Sequence, residues 1–178
     1  MQKPGVANPR ARREKRAVER ARHLFVDGYN ILHAWQWLTP RTSDASSAAT
    51  ARERLIETVR VLHDVDHLRV TIVFDGRGAT VAVDAATAEP GFDVVFAPVD
   101  RTADTIIEAG VAAALDPQAC LVATADQLER ETVTASGATC VSPEDLLAWC
   151  ERSRARAAQT VARRAEKSRG NWGNKLPL

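Results

Sequence analysis

The chain has 178 residues, of which 45% are hydrophobic, enough for one domain with a sizeable core and appended segments. No apolar run approaches the length of a membrane span, and Met1-Gln2-Lys3-Pro4-Gly5 is followed by no apolar stretch of the kind that makes a secretory signal. The net charge of +1 hides a strong asymmetry: residues 1–22 carry eight Lys/Arg against two Glu, residues 151–178 carry the same, and the stretch between holds eight Arg against nineteen Asp/Glu.

Residues 1–22 read as a basic extension, rich in Arg and without a continuous apolar stripe. At His23 the pattern changes. His23-Leu24-Phe25-Val26 is a short apolar run that reads as a buried strand, and Asp27-Gly28-Tyr29-Asn30 as the turn after it. Residues 40–47 are loop-like. A helix is expected from about Ala48 to His63, with Leu55, Ile56, Val59 and Leu62 at helical spacing.

Arg69 to Phe74 is a second strand, rich in β-branched residues and also ending in Asp-Gly, at Asp75-Gly76. The segment from there to Pro90 fits no one element. Phe92 to Ala97 is a third strand, and Thr102-Ala103-Asp104 opens a helix that Asp116-Pro117 ends. Ala119 to Ala123 is a fourth strand, running into Thr124-Ala125-Asp126. The helix after it closes at Ser136-Gly137, and 138–141 make a short fifth strand. Ser142-Pro143-Glu144-Asp145 starts the last helix with a Ser cap, Pro in the first turn and acidic residues at the positive end of the dipole. That helix grades into the basic segment 151–178.

Strands that are nearly unbroken apolar runs, alternating with helices, predict an α/β domain over 23–150 with a parallel sheet of about five strands covered on both faces. Cys120, Cys140 and Cys150 are odd in number and widely spaced. They read as reduced small hydrophobes of a cytoplasmic protein, not as a disulfide framework or a zinc site.

In open α/β sheets ligands bind beyond the carboxyl ends of the strands. Asp27, Asp75 and Asp126 stand at such ends, and Asp104 near the start of the helix after strand three, so all four fall on one edge. Any one of them alone would be an ordinary turn or cap residue. Carboxylates gathered together repel unless a cation neutralises them, and hard oxygen ligands favour Mg²⁺ or Mn²⁺. Such an ion activates water and offsets charge on a phosphodiester.

Asn30 either holds a water or phosphate oxygen or secures its own turn. Thr124 orients a ligand or the backbone near Asp126, and Glu108, one helical turn after Asp104, is a further ligand or an exposed acid. Trp35 and Trp37 stack on bases or enter the core, and His33 is a surface or packing residue. An acidic site needs basic surface elsewhere to attract a polyanion. The basic ends supply it, with Arg12 and Arg13 in one and Arg163 and Arg164 in the other.

The stretch from His23 to Trp35, then Val73-Phe74-Asp75-Gly76, Thr102-Ala103-Asp104 and Val122-Ala123-Thr124-Ala125-Asp126 resembles, in order and spacing, the motifs of the NYN domain, and within it the YacP-like bacterial branch. The resemblance spans about 23–150. It implies a three-layer PIN-like nuclease fold, a Mg²⁺ or Mn²⁺ site and endoribonuclease activity, on RNA associated with the ribosome. It makes Asp27 and Asp104 the central acidic residues and Asp126 a further ligand, with Asn30 and Asp75 in support. It does not carry over to the basic ends.

The alternative is a non-catalytic RNA- or ribosome-binding module of the same fold. A phosphatase or nucleotide hydrolase is disfavoured, since Asp27-Gly28-Tyr29 lacks the Asp-x-Asp pair after the first strand and no phosphate-cradling glycine loop occurs.

Overall fold

Leu24 and Val26 are buried on one face of the first strand and Phe25 on the other, which places that strand between two layers. The computed structural model describes residues 23–38, 45–85, 87 and 89–172. Its elements are β1 (His23–Asp27), α1 (Gly28–Ala34), α2 (Ala45–Asp66), β2 (Arg69–Asp75), β3 (Ala82–Val83), β4 (Phe92–Ala97), α3 (Ala103–Ala112), β5 (Cys120–Ala123), α4 (Gln127–Ala135), β6 (Thr139–Val141) and α5 (Pro143–Trp172). Single 3-10 turns lie at Gln36–Leu38 and Pro117–Ala119.

The sheet has six strands in the order β3-β4-β2-β1-β5-β6. All its pairings are parallel except that of β3, a two-residue antiparallel edge on β4. That edge strand comes from the segment that fits no one element in the sequence, because it is too short and too exposed to carry a strand pattern. One face packs against α1, α2 and α5 through Ile31, Leu55, Leu62, Leu146 and Trp149. The other packs against α3 and α4 through Ile107, Val111 and Val133. The result is a three-layer α/β domain.

Two sequence expectations change. Asp27-Gly28-Tyr29-Asn30 is not a turn: helix α1 starts directly at Gly28, with Asp27 as its N-cap accepting the Asn30 N–H at 3.0 Å. Glycine is required there because any Cβ would run into the Phe74 ring beneath it. The second change is that α2 begins at Ala45, within the stretch expected to be a loop. The cysteines are free; Cys120 and Cys150 are buried, and burial pushes the Cys150 thiol up to about 12. Among the described residues no helix is long and apolar enough to cross a membrane.

Helix α5 is continuous across position 150, and its first half is anchored by one carboxylate. Asp66, at the end of α2, accepts Trp149 Nε1–H at 2.7 Å and Ser153 Oγ–H at 2.8 Å, and also takes Arg156. Trp149 and Ser153 are buried, so their donors have no water to turn to if Asp66 is removed, whereas Arg156 is exposed. Asp66→Ala is therefore expected to cost about 2–3 kcal/mol of stability in denaturant unfolding. Arg156→Ala, which removes an exposed guanidinium from Asp66 and from the Ser153 hydroxyl at 2.8 Å but leaves the Trp149 and Ser153 bonds to Asp66 in place, is expected to cost less, about 1 kcal/mol.

Candidate metal centre at the end of the central strand

The chain runs from β1 outward through β2 to β4 and then returns to place β5 on the other side of β1. This reversal opens a crevice beyond the carboxyl ends of β1 and β5, the place where parallel α/β sheets hold ligands. Asp27 ends β1 at its mouth. Asn30 spans it, its Oδ1 accepting the Ala125 N–H from the loop after β5 at 3.2 Å.

Two neighbouring acids set the helices that flank the crevice. Asp75, at the end of β2, accepts the Ala103 N–H at 2.8 Å and so fixes the first turn of α3, where Asp104 follows. Asp126 caps α4, its Oδ1 accepting the N–H groups of Leu128 at 2.7 Å and Glu129 at 3.1 Å. Its own N–H goes to the fully buried Thr124 hydroxyl at 3.0 Å.

This framework brings together Asp27, Asp104 and a residue the sequence pattern did not single out, Glu129. Each offers a carboxylate oxygen, and the three oxygens lie within 4.8 Å of one another. Asp126, expected as a third ligand, lies outside this trio, with its Oδ1 on the N–H groups that start α4. Asp75 is also outside it, with its Oδ1 on the first N–H of α3, as is Glu108, half-buried further along that helix.

Of the other residues weighed, Trp35 is buried with its Nε1–H donated to Pro143 O at 3.1 Å, while Trp37 and His33 are exposed. Arg163 and Arg164 are exposed on the distal part of α5. Arg12 and Arg13 lie outside the described residues. A second acidic grouping, His63, Asp64 and Glu89, is engaged otherwise: Arg60 binds Glu89 at 2.7 Å and His63 Nδ1 pairs with Leu68 O at 2.8 Å.

Glu129 is 2% exposed, yet among the described residues neither of its carboxyl oxygens has a hydrogen-bond partner. Thr124 is near enough to ease its charge but does not reach hydrogen-bond geometry with it. Burial above all, then the charges of Asp104, Asp27 and Asp126, push Glu129 up to about 8. Burial likewise raises Asp27 to about 6, with the Asp104 and Asp75 carboxyls adding to the shift and the Asn30 N–H opposing it. Two things relieve such a group: a bound proton or a bound cation. The donor set is all carboxylate oxygen, which suits Mg²⁺ or Mn²⁺ and not a soft metal.

The sign of the pH dependence follows. Without metal the folded chain keeps a proton on Glu129 that the unfolded chain releases near 4.5. Stability therefore falls as pH rises from about 4.5 to about 8 and levels off above that. In EDTA the melting temperature is expected to decline through this window. Glu129→Gln should flatten the decline, and Mn²⁺ should restore the wild type at the upper end. A wild-type melting temperature that is level across the window would refute the assignment.

Comparison with known proteins agrees with this architecture. Residues 24–177 match the YacP-like NYN domain, a nuclease-like family, so the match takes in the basic C-terminal segment as well as the sheet. The chain is 32% identical over 146 residues to the uncharacterized protein YacP of Bacillus subtilis (strain 168), covering 81% of this chain and 79% of that protein. It is similar to the crystal structure of Rae1 (YacP) from Bacillus subtilis, with a TM-score of 0.62 and 28% identity, covering 84% of this chain and 86% of that one. A tryptophan-to-leucine mutant of the same protein gives a TM-score of 0.63, again at 28% identity, over 81% and 84% of the two chains. By sequence and by fold, the chain belongs to the YacP-like NYN domain family.

Proposed function

We propose that the protein is a metal-dependent endoribonuclease whose divalent ion is held by Asp27, Asp104 and Glu129. The observation that carries this reading is the buried Glu129 carboxyl, without a hydrogen-bond partner and facing two further carboxyls at the switch point of a nuclease-like fold. A bound Mg²⁺ or Mn²⁺ would supply an activated water and neutralise charge on the phosphodiester.

The chain's own part is to hold three oxygens in one place. Asp27 is set by the start of α1, Asp104 by the bond from Ala103 to Asp75, and Glu129 by the cap of Asp126. No protein nucleophile is called for, in keeping with cysteines whose thiols burial holds protonated.

RNA is the substrate that fits the charge distribution. An acidic centre repels a polyphosphate, and the exposed Arg163 and Arg164 on α5, with the basic residues of the N-terminal sequence, supply positive charge to attract it. The family resemblance points further, to mRNA on the ribosome.

With Mn²⁺ the full chain is expected to cut single-stranded RNA internally, and Asp27→Asn, Asp104→Asn and Glu129→Gln should each slow cleavage about a hundredfold or more. Absence of cleavage by the wild type, or variants that cut equally well, would instead indicate an RNA-binding module without activity. A double Arg163→Gln, Arg164→Gln variant should bind RNA more weakly with kcat unchanged. Its affinity should also depend less steeply on salt, by about 0.7 in the log–log slope for each phosphate no longer neutralised.

A further inference from the structure

The carboxylates occupy one side of the sheet's carboxyl edge, and the other side ends in a different group. Asp27 and Asp75 continue the alternation of Phe25 and Val73, which face the α3–α4 layer. Tyr29, Phe74 and Phe96 belong to the α1–α2 layer. Their rings pack in a row, Tyr29 edge-on to Phe74 at 5.2 Å between centroids and Phe74 stacked on Phe96 at 5.7 Å. Tyr29 lies two residues from Asp27 and Phe74 adjoins Asp75, so this aromatic row borders the acidic centre.

Arg52, from α2, reaches onto this row. Its Nη1–H is donated to the Tyr29 hydroxyl at 3.2 Å, and its guanidinium carbon lies 6.0 Å from the centre of the Phe96 ring. The side chain is half-buried. Three arginines are paired with carboxylates, Arg60 with Glu89, Arg69 with Asp93 and Arg156 with Asp66, whereas Arg54 bonds only the Leu38 carbonyl at 3.3 Å. Among the described residues Arg52 has no carboxylate. Its contacts are a neutral phenol and a ring face, which orient a guanidinium without neutralising it, and a partly desolvated cation left in that state costs stability. A guanidinium held in this way presents its remaining N–H fork to a phosphate, which accepts two parallel hydrogen bonds.

We propose that Arg52 binds a backbone phosphate of RNA next to the scissile one, with Tyr29 as the residue that positions it. The strand then crosses the carboxyl edge of the sheet from the α3–α4 side to the α2 side, one phosphate over the carboxylates and another on Arg52. This rests on the ribonuclease reading for the identity of the polyanion, but its test does not depend on cleavage.

The test measures binding of a short single-stranded oligoribonucleotide to the full chain in EDTA over a range of KCl concentrations, for wild type, Arg52→Gln, Arg52→Lys and Tyr29→Phe. Arg52→Gln is expected to weaken binding about tenfold, the worth of one charge-assisted hydrogen bond, and to lower the log–log salt slope by about 0.7. Arg52→Lys should keep the slope and lose only part of the affinity, since a point charge replaces a fork. Tyr29→Phe should keep the slope with a smaller loss. Arg52→Gln binding with unchanged affinity and slope would overturn the proposal. So would equal losses in Gln and Lys at an unchanged slope, which would mark Arg52 as a packing residue. Cleavage by the wild type in Mn²⁺, assayed separately, reports on the ribonuclease reading alone.

Discussion

Glu129 sits in a place where a carboxylate should not be comfortable. It is shut away from water, lacks a hydrogen bond to either oxygen among the described residues, and lies against two more carboxyls at the end of the central strand. A buried carboxyl without a hydrogen bond is costly whether it keeps its proton or ionises, and it persists only if the surrounding structure over-determines it. The determinants are hydrogen bonds from backbone N–H groups to side chains at helix starts. Asp126 starts α4, Asp75 together with the Thr102 cap starts α3 and Asp27 starts α1, and each helix so placed either carries a member of the trio or closes the crevice around it. Acids that bond N–H groups at helix starts are stabilised by those bonds and by the dipole. They offset part of the repulsion that gathering so much negative charge creates.

The same arrangement divides the labour between the sheet's two faces. The α3–α4 side carries the carboxylates, whose chemistry is that of a hard cation site. The α1–α2 side carries apolar rings and an arginine without a carboxylate, whose chemistry is that of an anion site. In the proposed reading, a polyanion drawn to both would meet a metal on one side of the sheet edge and the Arg52 guanidinium on the other. The basic helix α5 is a third element. Asp66 fixes its first half to α2 through buried donors, and the exposed Arg163 and Arg164 lie beyond that anchor. The family match reaches residue 177, so it spans the basic segment as well as the sheet.

The five parallel strands and most helices were legible because each has a local cause: apolar runs for buried parallel strands, a Ser-Pro start for α5, Ser136-Gly137 for the end of α4. Gly137 indeed takes a positive φ of 100° there. The Asp27-Gly28-Tyr29-Asn30 segment misled, since glycine and asparagine are turn residues by habit. Here glycine serves close packing under a helix instead, and that depends on the position of Phe74, 46 residues away in the chain. Asp27 and Asp104 were legible from strand-end placement, and the structure sets their carboxyls together. Asp126 stood out for the same reason but serves as a cap.

Glu129 escaped notice for an instructive reason. Asp126-Gln127-Leu128-Glu129 has the spacing of a capping box, in which the glutamate turns back to the N–H of the cap residue. Thr124 takes that N–H instead, which releases Glu129 to face the crevice. The sequence by itself determined the α/β class, the order of the elements and the gathering of acids on one edge, because these follow from period, propensity and strand direction. Only the tertiary structure decided which carboxyls meet at the crevice and which backbone N–H groups each acid holds, Asp27 doing both. That choice turns on which backbone N–H each oxygen reaches, and such a partner is set by the packing of segments far apart in the chain.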